Sequence, residues 1–257
     1  MRDMPFNQIA FAASQAPEAQ TALDLLRGRF GDVSLGEADV IVALGGDGFM
    51  LSTLHSCQPL GLPVYGMNRG TVGFLMNGYD PEKLLDRLAR AEEAVLPPLR
   101  MEATAAAGAG EPALAINEVA LLRQGPQAAK LRISVDGRER MAELVCDGAL
   151  VCTPAGSTAY NYSAHGPILP IGADILALTA ISAFRPRRWR GALLPKEAVV
   201  QFDVMEREKR GVAAVADSAE VRDVATGRSR SEPGISHRLL FDPDHGLEER
   251  LLREQFT

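Results

Sequence analysis

Residues 44–48 read Leu44-Gly45-Gly46-Asp47-Gly48 and close the apolar run Val40-Ile41-Val42-Ala43-Leu44. A buried strand that stops at glycines flanking one carboxylate places that carboxylate at the strand's carboxyl end, where open α/β sheets bind ligands. Glycine lets the backbone turn sharply and approach a bulky ligand without a Cβ in the way. Amides beyond the turn can face phosphate oxygens if a helix begins there. A fixed carboxylate beside a phosphate cradle suggests phosphoryl transfer to an alcohol, with Asp47 receiving the hydroxyl proton. An ordinary strand-to-helix turn with Asp47 as N-cap uses the same residues, so the motif alone leaves both readings open.

A second segment, Thr153-Pro154-Ala155-Gly156-Ser157-Thr158-Ala159-Tyr160-Asn161-Tyr162-Ser163, follows the run Ala149 to Cys152. Its small residues admit a flat ring close to the backbone. Its hydroxyls, and the amides of a helix starting near Ser157, offer donors, and Tyr160 and Tyr162 offer stacking faces. An ordinary capped helix is the plain alternative. Asn117-Glu118, where one β-run meets another, pairs an amide with a carboxylate, a fork suited to the vicinal hydroxyls of a ribose; taken alone the dipeptide reads first as a turn residue and a solvated Glu, because Asn and Glu are mostly exposed. The basic run Arg185-Pro186-Arg187-Arg188-Trp189-Arg190 could meet a phosphate or a partner, but charge runs usually face water, with Trp189 packed beneath. His55 has no identifiable carboxylate to orient it and is expected to be a partly buried polar residue.

Strands alternating with helices place these segments. Ile9–Ala12, Val40–Leu44 and Leu62–Met67 read as strands. Pro17 opens a helix through Arg29 with Ala22, Leu25 and Leu26 on one face, another helix follows the glycine-rich turn, and Asp80-Pro81 opens a third, through Glu92. This predicts an α/β domain with a parallel sheet over residues 1–96. From Pro97 short alternating runs dominate, among them Leu131–Val135 and Glu143–Val145 joined by the hairpin signal Asp136-Gly137. They predict an all-β sandwich over 97–235. The tail 236–257, with a strand at His237–Phe241 and helical spacing at Leu247, Leu251 and Leu252, is expected to return to the N-terminal domain.

The 257 residues are 46% hydrophobic and 23% charged, and the net charge of −6 argues against a nucleic-acid footprint. No run is long enough to span a bilayer as a helix, and the first residues lack a signal-peptide core. The three cysteines form no CxxC, as in a reduced cytoplasmic protein, and no histidine pair has zinc-ligand spacing. Only four residues are lysine, and neither Lys nor Arg lies between Phe30 and Arg69. An anionic substrate near Asp47 must be neutralised by amides, a metal ion or arginines from elsewhere. The absence of GxxxxGK excludes a P-loop kinase.

Taken in order, the GGDG turn, Asn68 to Phe74, Asn117-Glu118, Asp147-Gly148 and Thr153 to Ser163 resemble the NAD kinase family in its bacterial, ATP-dependent form. GGDG is shared with diacylglycerol and sphingosine kinases and with phosphofructokinases; the other segments are what point to NAD kinases. The resemblance implies that the two domains clasp NAD, and that Asp47 is the general base on the adenosine ribose 2′-hydroxyl. It implies that Gly46 and Gly48 lie against the dinucleotide and Phe74 at the adenine side, and that Asn117 and Glu118 bind the dinucleotide. Asp147 would hold the nicotinamide end, from the neighbouring subunit in a homodimer or homotetramer. Ala155, Thr158, Ala159, Tyr160, Asn161, Tyr162 and Ser163 would surround adenine and ribose. ATP with a divalent metal, Mg²⁺, would be the donor; some members also use polyphosphate. This chain departs from the family pattern at Ala155, Cys146, His165 and Asp217-Ser218-Ala219, the last in place of an Asp-Gly-Gln turn. A lipid kinase and a non-catalytic NAD(P) sensor are the alternatives.

Overall fold

The computed structural model describes residues 6–70, 73–105 and 108–243. They form two compact units, one holding the chain up to Leu96 together with the residues from Ile235, the other Pro97–Gly234.

The first unit contains β1 (Ile9–Ala13), α1 (Pro17–Phe30), β2 (Val40–Gly45), α2 (Asp47–Cys57), β3 (Val64–Asn68), α3 (Leu84–Leu88) and β4 (Glu92–Leu96). The second contains β5 (Leu99–Ala105), β6 (Gly108–Ala109), β7 (Ala113–Ala115), β8 (Glu118–Arg123), β9 (Ala129–Val135), β10 (Arg138–Cys146), β11 (Gly148–Cys152), α4 (Tyr160–Ser163), β12 (Ile175–Ile181), β13 (Gly191–Pro195), β14 (Val200–Val204), β15 (Val212–Ala216), β16 (Ala219–Val221) and β17 (Val224–Ser231). β18 (His237–Phe241) belongs to the first unit.

In the first unit the sheet order is β1-β2-β3-β18-β4. β1, β2, β3 and β18 run parallel, and β4 closes the edge antiparallel to β18. All six residues of β2 are buried, as a central parallel strand requires. Pro17 starts α1, and the face it buries is Ala19, Ala22, Leu23 and Leu26. Leu25, expected on that face, is 48% exposed: it lies about 100° around the helix from Leu26. The helix expected from Asp80 to Glu92 is also corrected. Asp80 accepts from the Glu82 amide, an Asx-type turn that uses the same residue a cap would. The helix spans only Leu84–Leu88, and Glu92 already begins β4. The helix expected within 246–256 lies outside the described residues, as do Thr71 and Val72.

The end of β18 is tied in by polar contacts. Asp242 accepts from Arg87 Nε (3.1 Å) and Nη2 (2.6 Å) and from the Tyr65 hydroxyl (2.7 Å), while its amide donates to Asn77.

The second unit is sheet-rich. One sheet runs β10-β9-β14-β17-β5-β6, with β7 also on β5; the other runs β13-β12-β11-β8-β15-β16. Both contribute to one apolar core, with Leu99, Leu131 and Phe202 from the first and Val119, Val151 and Leu178 from the second. Asp136 and Gly137 both adopt positive φ, the hairpin turn their sequence predicted. Among the described residues no helix is long and apolar enough to cross a membrane.

Candidate functional site

Asp47 is the first residue of α2, and Gly46 is the N-cap. Asp47 is therefore not the cap itself. It sits in the first turn, where a carboxylate is favoured by the helix dipole. None of Gly45, Gly46 and Gly48 has positive φ. Their glycine character serves space rather than strain: a Cβ on Gly45 would crowd Phe49, whereas Gly46 and Gly48 face open space. Those open faces and the free amides of the first turn of α2 are what a ligand could meet.

The Asp47 carboxylate is fixed from an unexpected direction. Oδ2 accepts the Phe74 amide (2.7 Å) and Oδ1 the Leu75 amide (3.0 Å). A Cβ on Gly73 would overlap Oδ1, so Gly73 admits this approach. Each carboxylate oxygen keeps a further lone pair, so Asp47 remains able to accept a proton. Phe74, expected to line the site, is thus brought to Asp47 through its backbone. Arg69, the first Lys or Arg after the turn, lies 4.3 Å over the Tyr79 ring and donates to the Glu18 carbonyl.

In the second unit, Asn117 and Glu118 sit where β8 begins. Their backbone is clamped on both sides. The Thr153 amide donates to the Asn117 carbonyl (2.9 Å), and the Thr153 hydroxyl donates to the Ile116 carbonyl (2.7 Å). On the other side Asp217 accepts the amides of Ile116 (2.7 Å), Asn117 (3.0 Å) and Glu118 (3.4 Å). Gly156 is needed here because a Cβ would collide with the Asn117 carbonyl. The Asn117-Glu118 pair and the Thr153 segment are thereby one construction.

That segment is less helical than its sequence suggested. Ala155–Thr158 is a 3₁₀ turn, and α4 is a single turn. Tyr160, Tyr162 and Ser163 are exposed, Thr158 and Ala159 half-buried, and Ala155 buried. Asn161, expected among the residues that surround adenine and ribose, turns its side chain into the protein. It is fully buried; its Nδ2 donates to the Ser157 and Pro167 carbonyls, and its Oδ1 accepts from Thr179. His165 has φ 63°, which accounts for the glycine common there in the family; its side chain is exposed.

Asp147 precedes β11 and accepts from Arg123 Nε (2.6 Å). Since Gly148 faces Leu122 and Cys152 faces Glu118, Asp147 and Glu118 lie toward opposite ends of β8. Burial and both charges push the Tyr160 phenol up. The basic run is solvated as expected: Arg185 and Arg187 lie over the exposed Phe184, and Trp189 packs on the core. His55 is half-buried, edge-on to His237.

Glu118 is the most perturbed acid. Burial pushes its carboxyl up to about 7; the Asp217 charge adds to the rise and a hydrogen bond from the Tyr160 backbone opposes it. Its Oε2 is buried with no hydrogen-bond partner among the described residues. An unfolded Glu titrates near 4.3, so between about pH 4 and 7 the folded chain binds the extra proton. The stability this supplies is complete below that window and is lost as pH rises through about 7. Glu118→Gln should therefore melt above the wild type at pH 8, with the gap closing progressively toward about pH 4, measured by calorimetry; a gap that does not change with pH would deny Glu118 this role.

Sequence and structure comparisons define the class. The crystal structure of yeast NADH kinase complexed with NADH matches with a TM-score of 0.82 at 19% identity, covering 97% of this chain and 87% of that one. An NAD kinase from Archaeoglobus fulgidus in complex with ATP matches at 0.77 and 24% identity, covering 96% and 97%. The fold is thus one used by dinucleotide kinases. Family models for the ATP-NAD kinase N-terminal and C-terminal domains match residues 5–93 and 116–229. NAD kinases of Cereibacter sphaeroides and Caulobacter vibrioides are 69% and 59% identical over 97% and 98% of this chain, and 98% of each relative. The chain belongs to the ATP-NAD kinase family.

Proposed function

We propose that this chain transfers the terminal phosphoryl group of ATP to the 2′-hydroxyl of the adenosine ribose of NAD, giving NADP, with Asp47 as general base. The observation that carries the reading is the Asp47 carboxylate, pinned by two backbone amides at the carboxyl end of β2 yet with acceptor capacity to spare. Family membership and relatives named NAD kinase at high identity support it. They support neither a lipid kinase nor a sensor.

A ribose hydroxyl is a poor nucleophile and a carboxylate a weak base, but phosphoryl transfer through a loose transition state asks little proton removal early. Asp47 orients the hydroxyl and takes its proton late. Asn117 and Glu118 hold ribose hydroxyls. Gly46, Gly48, Phe74, Ala155, Thr158, Ala159, Tyr160, Tyr162 and Ser163 line the dinucleotide, and Asp147 meets its nicotinamide end. Among the described residues no three His, Cys, Asp or Glu side chains gather as a metal-ligand set, which suits an ion carried largely by the nucleotide's own phosphates. Mg²⁺ there would neutralise charge on the transferring group.

The same reading makes the protein a homodimer or homotetramer of the cytoplasm. The latter is supported by three free, buried cysteines, of which burial pushes Cys146 and Cys152 up to about 12. Purified protein with NAD, ATP and Mg²⁺ should form NADP, read with an NADP-specific dehydrogenase. No product with ATP, polyphosphate or NADH would overturn the reading.

A further inference from the structure

The turn between β15 and β16 is Asp217-Ser218, and Asp217 adopts φ 48°. This left-handed backbone is one that Asp and Asn tolerate better than most residues. It directs the carboxylate at the entrance to β8, about a hundred residues earlier in the chain. Ala216 pairs with Val119, so the turn lies beside the residues that precede and begin β8. There one carboxylate gathers three consecutive amides, of Ile116, Asn117 and Glu118, and the Asp217 amide donates back to the Glu118 carbonyl at 3.3 Å. With Thr153 holding the opposite carbonyls, the backbone of the Asn117-Glu118 pair has little freedom. The departure from Asp-Gly-Gln at this turn leaves the carboxylate in place.

We propose that Asp217 is a positioning residue for dinucleotide binding: its carboxylate, collecting the three amides, sets the pose in which Asn117 and Glu118 present their side chains to the ribose. Charge-assisted hydrogen bonds of this kind are shorter and stronger than neutral ones. This rests on the reading of the chain as an NAD kinase. Asp217 itself touches no reacting atom.

The price of this arrangement is a second negative charge beside Glu118. Asp217, Cys152 and Tyr160 interact electrostatically with Glu118, and of these Asp217 is the carboxylate. Asp217 therefore has two separable consequences. Its hydrogen bonds act at every pH; its charge moves the pH at which Glu118 ionises.

The test is Asp217→Asn, isosteric and tolerant of the left-handed backbone. NAD and ATP are titrated between pH 5.5 and 9 with the full-length protein, a range that spans the raised value of about 7 for Glu118. At high pH, where Glu118 is ionised in both proteins, KM for NAD should rise about tenfold while KM for ATP and kcat change less than about threefold. The acid limb of the NAD profile should also move to lower pH. A purely structural role would lower stability without moving that limb. A variant whose NAD KM and acid limb match the wild type overturns the proposal and leaves the NAD kinase reading intact; a wild type that makes no NADP overturns both. Should the variant not fold, amide hydrogen exchange on the wild type decides: Ile116, Asn117 and Glu118 must be protected, and rapid exchange at all three overturns the proposal.

Discussion

Asp47→Asn should reduce NADP formation by about 10²–10⁴-fold, the range typical of a removed general base, while NAD still binds within a few-fold of wild type. Two losses combine in that number. The first is chemical: a carboxamide oxygen cannot hold the proton of the ribose hydroxyl. The second is geometric. Asp47 accepts amides on both oxygens, from Phe74 and Leu75. Asparagine offers one acceptor and turns an NH₂ donor toward the other amide, so one buried N–H loses its partner, at about 1–3 kcal/mol. The segment around Gly73 is thereby loosened as well. Turnover and binding separate the two: calorimetric NAD affinity reports the segment, and the residual rate with saturating NAD and ATP reports the base. Wild-type turnover in this variant would remove Asp47 from its assigned role. A rate loss matched entirely by lost NAD affinity would make it a scaffold residue.

What the sequence made legible followed side-chain identity and local order. The apolar run into GGDG marked β2 and the start of α2, and the Asp136-Gly137 hairpin was marked by its own turn chemistry. The amides that hold Asp47 had no such mark. Any residue supplies an N–H, and Phe74 and Leu75 lie 27 and 28 positions away. Only Gly73, whose Cβ would overlap Asp47, left a trace, and that trace is interpretable only once the fold is known. Asp80-Pro81 misled because an Asx turn and a helix cap begin with the same residue. Leu25 misled because α1 is only half covered: its buried stripe is Ala19, Ala22, Leu23 and Leu26, and the sheet does not reach one residue further round. Asp217 stood out only as the first residue of a turn whose next two positions, Ser218 and Ala219, depart from a family pattern. Its three amide partners depend on the pairing of β15 with β8, which no local signal encodes.

Asn161→Ala should lower the stability of the second unit by about 3 kcal/mol, because it strands several buried polar groups at once. Nothing about the residue's neighbours in sequence announced this, and Asn161 was expected to face the dinucleotide. Its amide instead ties the 3₁₀ turn to the segment that follows: Nδ2 donates to Ser157 (3.1 Å) and Pro167 (2.9 Å), and Oδ1 accepts from the buried Thr179 hydroxyl (2.6 Å) on β12. Gly166 has no room for a Cβ against that amide. Alanine leaves two carbonyls and a hydroxyl in a space water does not readily reach. Asn161→Asp should be at least as costly, since a carboxylate would face the two carbonyls that now receive N–H donors. Thermal unfolding reads both variants. The same scaffold backs Thr158, Ala159 and Tyr160, so KM for NAD should rise with the loss of stability, and saturating NAD should restore part of the melting temperature by mass action. An Asn161→Ala protein that melts with the wild type and yet binds NAD poorly would return the amide to the ligand. A protein that melts early and recovers with NAD would place its function in holding the turn that does the binding.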